Sequence, residues 1–456
     1  MTFFSLEDKI RQAGGNPAKM LREDPTPPYK FPFQEQFSNW RDEQTAWATT
    51  ATLFDQSFHM SDVYFTGPDV KRLFSETAVN NFDKFGRNRA KQLVAVNTEG
   101  DFIGDGIVFG FEDDQYVLVG VPSASDWVAF RAQSGDYNVE VEADPATPYN
   151  PNPRKKFRYQ LQGPRSLDII RKVAGDAVDH IKFFQMGEFQ IEGVPIRALN
   201  HTMIGVPGQD YTGLEMTGPV AESQRVLEAL VKAGEEFGLR LGGSLAYATT
   251  PVASGWVPLP VPAVYLGDEL RAYRQHLSGD GFEAHTSIGG SLESDDIRDY
   301  YLTPWDLGYG RVINFEHEFV GRDALLARKD EPHKTKVFLR WNDRDAADAI
   351  TSSLFDAPNG AKFLEMPAAH YVMAHYDQIR AGGVQIGVGS WPVYITNYGG
   401  WAQLGLIDDE YAKDGTEVEV LWGNESAIGV KPRVEAHKMR SIRAIVHTTP
   451  PPLKRR

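Results

Sequence analysis

The sequence predicts a mixed helix-and-strand fold, an α/β or α+β body followed by a mostly β C-terminal region. Three observations carry that reading. Short strand-like runs alternate with helical patterns through the first two thirds of the chain. A charged, Pro-containing stretch at 327–336 looks like an interdomain linker. Beyond it the runs at 336–340, 417–422 and 443–447 alternate like strands.

The elements follow in order. Val63-Tyr64-Phe65-Thr66 reads as a strand ended by Gly67-Pro68, and Val70, Leu73, Phe74 and Ala78 then share one helical face. Strands are expected at 92–97, 106–111, 115–121 and 158–161. A helix carrying Leu167, Ile170 and Val173 comes next. The clearest helix spans about 221–237, with Val226, Leu230, Ala233 and Phe237 as its apolar stripe. From Pro251 to Pro262 the density of Pro, Trp and Val predicts an irregular, packed loop.

Length and charge narrow the function. At 456 residues the chain is long enough for roughly three domains and a large core. With 47 basic against 62 acidic residues the net charge is −15, which disfavours nucleic acid or an anionic membrane as the main partner. Cysteine is absent. That excludes disulfides, thiolate-ligated metal or haem, iron–sulfur clusters and a cysteine nucleophile, and with them the Rieske and P450 oxygenases. The N-terminus lacks a signal-peptide core and no uncharged apolar run nears 18 residues, so the expected compartment is the cytoplasm.

Generic motifs are missing. Phosphate-binding loop, nucleophile elbow and HExxH do not occur, and Gly104-Asp105-Gly106 begins a dinucleotide fingerprint whose third glycine is misplaced. The 11 histidines are scattered, so no catalytic metal is expected. Aromatic residues make up 12% and cluster near the N-terminus (Tyr29, Phe31, Phe33, Phe37, Trp40, Trp47) and from Tyr247 to Trp305. Such clusters are core, or they line a pocket for a flat ligand.

Four segments resemble the folate-binding family of the glycine-cleavage T-protein, in that family's order. Leu53-Phe54-Asp55-Gln56-Ser57-Phe58-His59-Met60 is similar to its L-[YF]-D-x-S-H-M, with one residue inserted before the histidine. Leu161-Gln162-Gly163-Pro164 reproduces its L-Q-G-P turn, and Phe319 to Leu325 is similar to its F-I-G-R-[ED]-A-L. The stretch from Gly387 to Val420 resembles its C-terminal barrel. The resemblance implies an α+β, T-protein-like folate-binding body of intertwined subdomains at 1–330, and a β-barrel domain at 331–456. Within the family, Phe37-Ser38-Asn39-Trp40-Arg41, the inserted residue, Ser254-Gly255-Trp256 and Tyr300-Tyr301 resemble the tetrahydrofolate-dependent O-demethylases of vanillate and syringate. T-proteins carry a charged run after the long helix. Here it is Gly243-Ser244-Leu245-Ala246-Tyr247-Ala248-Thr249, which suits a neutral aryl ether better than an amine.

The implied reaction moves the methyl of a methoxybenzoate to N5 of tetrahydrofolate, giving 5-methyltetrahydrofolate and a phenol. The leaving phenoxide has a conjugate acid of pKa about 10, so the site needs a donor to the departing oxygen. Tyr247 is the expected donor, with His59 beside it as the second catalytic candidate. Tyr29, Phe31, Gln56 and Val121 are the expected substrate wall. Glu215, by the resemblance, accepts hydrogen bonds from the pterin, with Gln162, Trp256 and Asp105 as further folate contacts. Vanillate-type enzymes place an arginine where Val121 stands; its loss leaves the substrate carboxylate without an assigned partner among Arg87, Arg89 and Lys91, and tilts the preference to syringate. Other readings in view are an aminomethyltransferase, a sulfonium demethylase and a non-enzymatic iron–sulfur assembly factor, the last of which carries a signature cysteine missing here. Partners are the aromatic acid and tetrahydrofolate, without nucleic acid or membrane; monomer and homodimer both stay open.

Overall fold

A computed structural model describes residues 4–147, 150, 152–201 and 213–454. The body holds β1 (Ala51–Asp55), β2 (Ser61–Thr66), β3 (Ala90–Val96), β4 (Phe102–Gly110), β5 (Gln115–Gly120), β6 (Glu140–Asp144), β7 (Lys156–Gln162), β8 (Met186–Ile191), β9 (Val194–Asn200), β10 (Leu214–Pro219) and β11 (Leu239–Gly242). They form a six-stranded sheet ordered β11-β1-β7-β10-β9-β8 and a five-stranded sheet ordered β3-β4-β5-β2-β6. The chain leaves the first sheet after β1, builds the second with β2 to β6 and returns, so the two subdomains are intertwined.

Side-chain alternation explains where the core lies. On β7, Phe157, Tyr159 and Leu161 face Ile169, Ile170, Val226 and Leu230 of the helices Ser166–Ala174 and Ser223–Gly234. The other face of the six-stranded sheet is polar and still buried, with Thr52, Arg158, Gln160, Gln162, Glu215 and Thr217. Burying such groups is costly unless they are paired or kept for a ligand. In the second sheet Val63, Phe65, Tyr116 and Leu118 pack against Leu73, Phe74, Trp127 and Val128. Its opposite face, through Tyr64, Val117 and Val119, meets Met186 and Leu199 of the first sheet.

The remaining strands are β12 (Ile288–Gly289), β13 (Lys334–Trp341), β14 (Ala374–His375), β15 (Asp377–Ala381), β16 (Val384–Ile395), β17 (Gly400–Asp408), β18 (Glu417–Trp422) and β19 (Arg440–His447). Six of them close a barrel in the order β13-β17-β16-β15-β18-β19. The barrel supports the body from behind. Trp391 Nε1 donates to Ala248 O at 2.8 Å, and Gln44 bridges to Tyr394 O at 3.1 Å and to Thr396 N at 2.8 Å.

Two expectations are corrected. The stretch read as a linker is mostly structured: the helix Arg322–Arg328 and β13 leave only 329–333 between them. Its charges are tied down, with Arg328 on Asp101 at 2.8 Å and Lys334 on Asp408 at 2.5 Å. The loop from Pro251 opens inside a short helix, Thr250–Ser254, because Pro251 falls in the first turn, where a missing N–H costs nothing.

Candidate active site

Six rings enclose one end of the polar face. Phe31 packs edge-on against His59 at 5.1 Å and Tyr247 at 5.2 Å between centroids, while Phe33 and Phe54 approach Tyr247 at 5.5 and 5.3 Å. Tyr29 lies 5.3 Å from both Phe31 and His59. Gln56 Nε2 donates to the Tyr247 hydroxyl oxygen at 3.1 Å. That oxygen is thereby an acceptor, and among the described residues its own proton finds no partner. Tyr247 is 4% exposed, and burial pushes its phenol well above the ordinary value. A phenol raised in this way is suited to donating a hydrogen bond rather than to acting as the matched phenolic acid its residue type suggests.

His59 Nδ1 lies 3.1 Å from Tyr29 Oη. Burial first, then the positive charges of Arg158 and Arg154, drive the imidazole down to about 3, so His59 is neutral across the physiological range. A neutral ring whose Nδ1 accepts from Tyr29 presents Nε2–H as a donor.

The local folding of this box has a clear organiser. Glu43, fully buried in the helix Trp40–Thr49, accepts from Phe37 N, Ser38 N and Gly243 N, each at 2.8 Å. Ser244 N and Leu245 N bond Gln34 O and Glu35 O at 2.8 and 3.0 Å. The segment bearing Tyr29, Phe31 and Phe33 is thus zipped to the single helical turn Ser244–Tyr247.

Beside the box runs a buried chain of charges across the sheet interface. Arg154 contacts Asp144 at 3.4 Å and Asp62 at 3.2 Å; Asp62 pairs with Arg158; Arg158 Nε meets Glu215 Oε1 at 3.1 Å; His201 Nε2 meets Glu215 Oε2 at 2.8 Å. Burial works against the Glu215 anion, but the His201 hydrogen bond and Arg158 charge prevail and hold it below the usual carboxylate range. Among the described residues Oε2 has one hydrogen bond, to His201, and Oε1 one ion-pair contact, to Arg158, while an ionised carboxylate has about four acceptor sites. Glu215 thus keeps capacity for a ligand with two N–H groups. Gln162 donates to His201 O at 3.2 Å, while among the described residues its Oε1 has no partner. The turn beyond it needs glycine: Gly163 has φ +121°, and a Cβ there would sit 2.6 Å from Thr50 O.

Asp105 occupies a third corner. Gln92 Nε2 at 2.6 Å, Trp256 Nε1 at 3.1 Å and the Tyr309 hydroxyl all converge on its Oδ2, leaving Oδ1 without a donor among the described residues. Burial raises its carboxyl above the ordinary value despite those three donors. Trp256 is therefore held by its indole edge. Val121 caps the helix Pro122–Ser134 and packs in the cluster that includes Tyr247.

The sequence candidates group into the ring box, the Glu215 chain and the Asp105 cluster, with Val121 in the apolar cluster that includes Tyr247. The three cations considered for a substrate carboxylate do not join them. Arg87 is engaged at the surface by Glu188 at 2.8 Å and by Glu112, and Arg89 and Lys91 line an open cleft of about 1,060 Å³ with Lys84 and Arg311. Sequence reasoning missed Glu43, Arg158, His201 and Gln160. Arg158 and Gln160 did leave a signal: polar residues at every second position of an otherwise apolar strand ending in Gln162.

Two face-to-face sheets thus carry a neutral, hydrogen-bonding aromatic box next to a floor of buried anion and amides. The chain belongs to the GCVT family: residues 20–256 match the GCVT N-terminal domain. It is 40% identical over 448 residues to a syringate O-demethylase of Sphingobium sp. (strain NBRC 103272 / SYK-6), covering 98% of this chain and 96% of the other. A sesamin methylene transferase of Sinomonas sp. (strain No.22) is 27% identical over 381 residues, 80% of each chain. Among solved structures, the glycine cleavage system aminomethyltransferase T from Bartonella henselae shares the fold, with TM-score 0.55 and 16% identity over 91% of each chain.

Proposed function

We propose that this protein is a tetrahydrofolate-dependent O-demethylase of a methoxybenzoate, with syringate as the preferred class member. The observation that carries the reading is the Tyr247 hydroxyl, which accepts from Gln56 and keeps its proton for a ligand inside a box of rings. A near-full-length relative named syringate O-demethylase supports the same chemistry.

The aryl ring lies among Tyr29, Phe31, Tyr247 and Val121, with the ether oxygen toward Tyr247. The His59 Nε2–H bonds the oxygen ortho to the methoxy group. Tetrahydrofolate supplies a neutral amine, N5, that accepts the methyl. Glu215 fits its 2-amino and N3–H donors, because its anion is preformed and among the described residues it keeps acceptor sites beyond Arg158 and His201. In the transfer the ether C–O bond breaks, an N–C bond forms, and the N5 proton ends on the phenol oxygen. Tyr247 stabilises the developing phenoxide by a hydrogen bond that strengthens with charge. Holding the two reactants in line accounts for roughly 7–11 kcal/mol of the barrier. Asp105 and Trp256 border the folate side.

We assign the folate and substrate machinery to residues 1–330 and a supporting role to the barrel at 331–456. No helix among the described residues is long and apolar enough to cross a membrane, and we read the compartment as cytoplasm. The test is turnover: syringate should be demethylated with tetrahydrofolate present and not without it.

A further inference from the structure

Gln160 is fully buried on β7, yet among the described residues neither its Nε2 nor its Oε1 has a hydrogen-bond partner. An amide left in that state is destabilising by a full desolvation penalty at each end. Among the buried side-chain atoms without a partner in the described residues, Gln160 is the one amide that leaves both its nitrogen and its oxygen unpaired. Gln44, also fully buried, donates to Thr249 Oγ1 at 3.0 Å and Tyr394 O at 3.1 Å and accepts from Thr396 N at 2.8 Å. Register places Gln160 between Glu215 on β10 and Phe54 on β1, and the Phe54 ring touches Tyr247. Its side chain projects on the polar face, between the carboxylate floor and the ring box.

We propose that Gln160 binds the edge of the reduced pterin that carries the reacting nitrogen, its Oε1 accepting from N5–H and its Nε2 donating to the neighbouring ring carbonyl. The proposal rests on the folate reading and adds a residue to it. A primary amide offers one acceptor and one donor side by side, which matches an edge with one N–H and one C=O. With Glu215 taking the aminopyrimidine end, Gln160 fixes the other end and turns the N5 lone pair toward the ring box. Methylation removes the N5–H. The product then leaves Oε1 unpaired again, so the same residue that favours the methyl acceptor disfavours the methylated product.

Binding of tetrahydrofolate and of 5-methyltetrahydrofolate, measured by calorimetry without any aryl substrate, tests this in wild type and in Gln160→Met and Gln160→Leu. Thermal unfolding of the ligand-free proteins is the second readout. Wild type should prefer tetrahydrofolate. Both variants should lose roughly tenfold more in tetrahydrofolate affinity than in that of the methylated product, the size expected for the one good hydrogen bond that only the N5–H makes. Both should unfold at the same or a higher temperature than wild type, since an unsatisfied amide has been replaced by an apolar chain. Unchanged affinities, an equal loss for both ligands, or a lowered unfolding temperature would each overturn the proposal. If wild type binds neither ligand, the folate reading fails and this inference with it.

Discussion

Gln56 Nε2 donates to the hydroxyl oxygen of Tyr247 across 3.1 Å, and this one bond sets the direction of the tyrosine proton. A phenol that accepts at its oxygen still has its own proton to donate. With its ionisation suppressed by burial, Tyr247 keeps its proton around neutral pH. Tyr247→Phe keeps the ring and deletes the donor. Folding and both binding constants should stay near wild type while single-turnover methyl transfer falls about 10²–10³-fold. The loss should shrink for aryl ethers with electron-poor rings, which need less stabilisation of the leaving oxygen. Turnover within a few-fold of wild type makes Tyr247 a packing residue.

Glu215 and Arg158 form a pair with a pH signature. Wild-type Glu215 stays ionised to below the ordinary carboxylate range, so folate affinity should survive mild acid and fall only as pH drops through that depressed value. Removing the adjacent guanidinium in Arg158→Met raises the carboxyl, so the acid limb of folate binding should move to higher pH. Glu215→Ala removes the charge-assisted bonds and should weaken folate binding by about 1.5–3 kcal/mol with little change for the aryl substrate. An acid limb at the same pH in both proteins would place Glu215 outside the folate contact.

His59 is predicted to be silent as an acid in catalysis but visible in stability. Its imidazole is at about 3 in the folded protein against about 6.5 unfolded, lowered by burial and then by Arg158 and Arg154. Below the unfolded value only the unfolded chain takes up the proton. Stability linked to His59 is therefore fully present above about pH 6.5 and declines as pH falls toward 3, at up to about 1.4 kcal/mol per pH unit. Urea unfolding of His59→Gln between pH 6.5 and 4 should show a slope shallower by that amount. An identical slope means that His59 titrates normally.

Much of this was legible in the sequence, and the reason differs by residue. Tyr247, His59 and Gln56 come from short motifs, and their neighbours in the chain locate them. Strands such as β2 and helices such as Val70–Thr77 follow from alternation and 3.6-residue periodicity. The Glu215 floor was only half visible. Arg158 and Gln160 show in the sequence as polar residues at alternate positions of β7, but what they face is set by register with β1 and β10, strands more than 50 residues away in the chain. Glu43 was hidden for the same reason: it holds Gly243, 200 residues away, and in the sequence it is an ordinary acidic residue in a helix first turn. The supposed linker failed differently, because its charges are fixed by Asp101 and Asp408, which local composition does not reveal.

Because the methyl acceptor is a neutral amine and the proposed donor is a tyrosine, EDTA should leave the rate of demethylation unchanged. A rate lost to chelator and restored by a divalent cation would require a metal that these roles do not use.

The most direct measurement follows the methyl carbon itself. Syringate labelled with ¹³C in its methoxy groups, incubated with the purified protein and tetrahydrofolate, should yield 5-[¹³C]methyltetrahydrofolate and the corresponding phenol in equal amounts by NMR. Label appearing as formaldehyde or methanol, or demethylation that proceeds without tetrahydrofolate, would contradict transfer between two reactants held together by the Tyr247 and Glu215 sites.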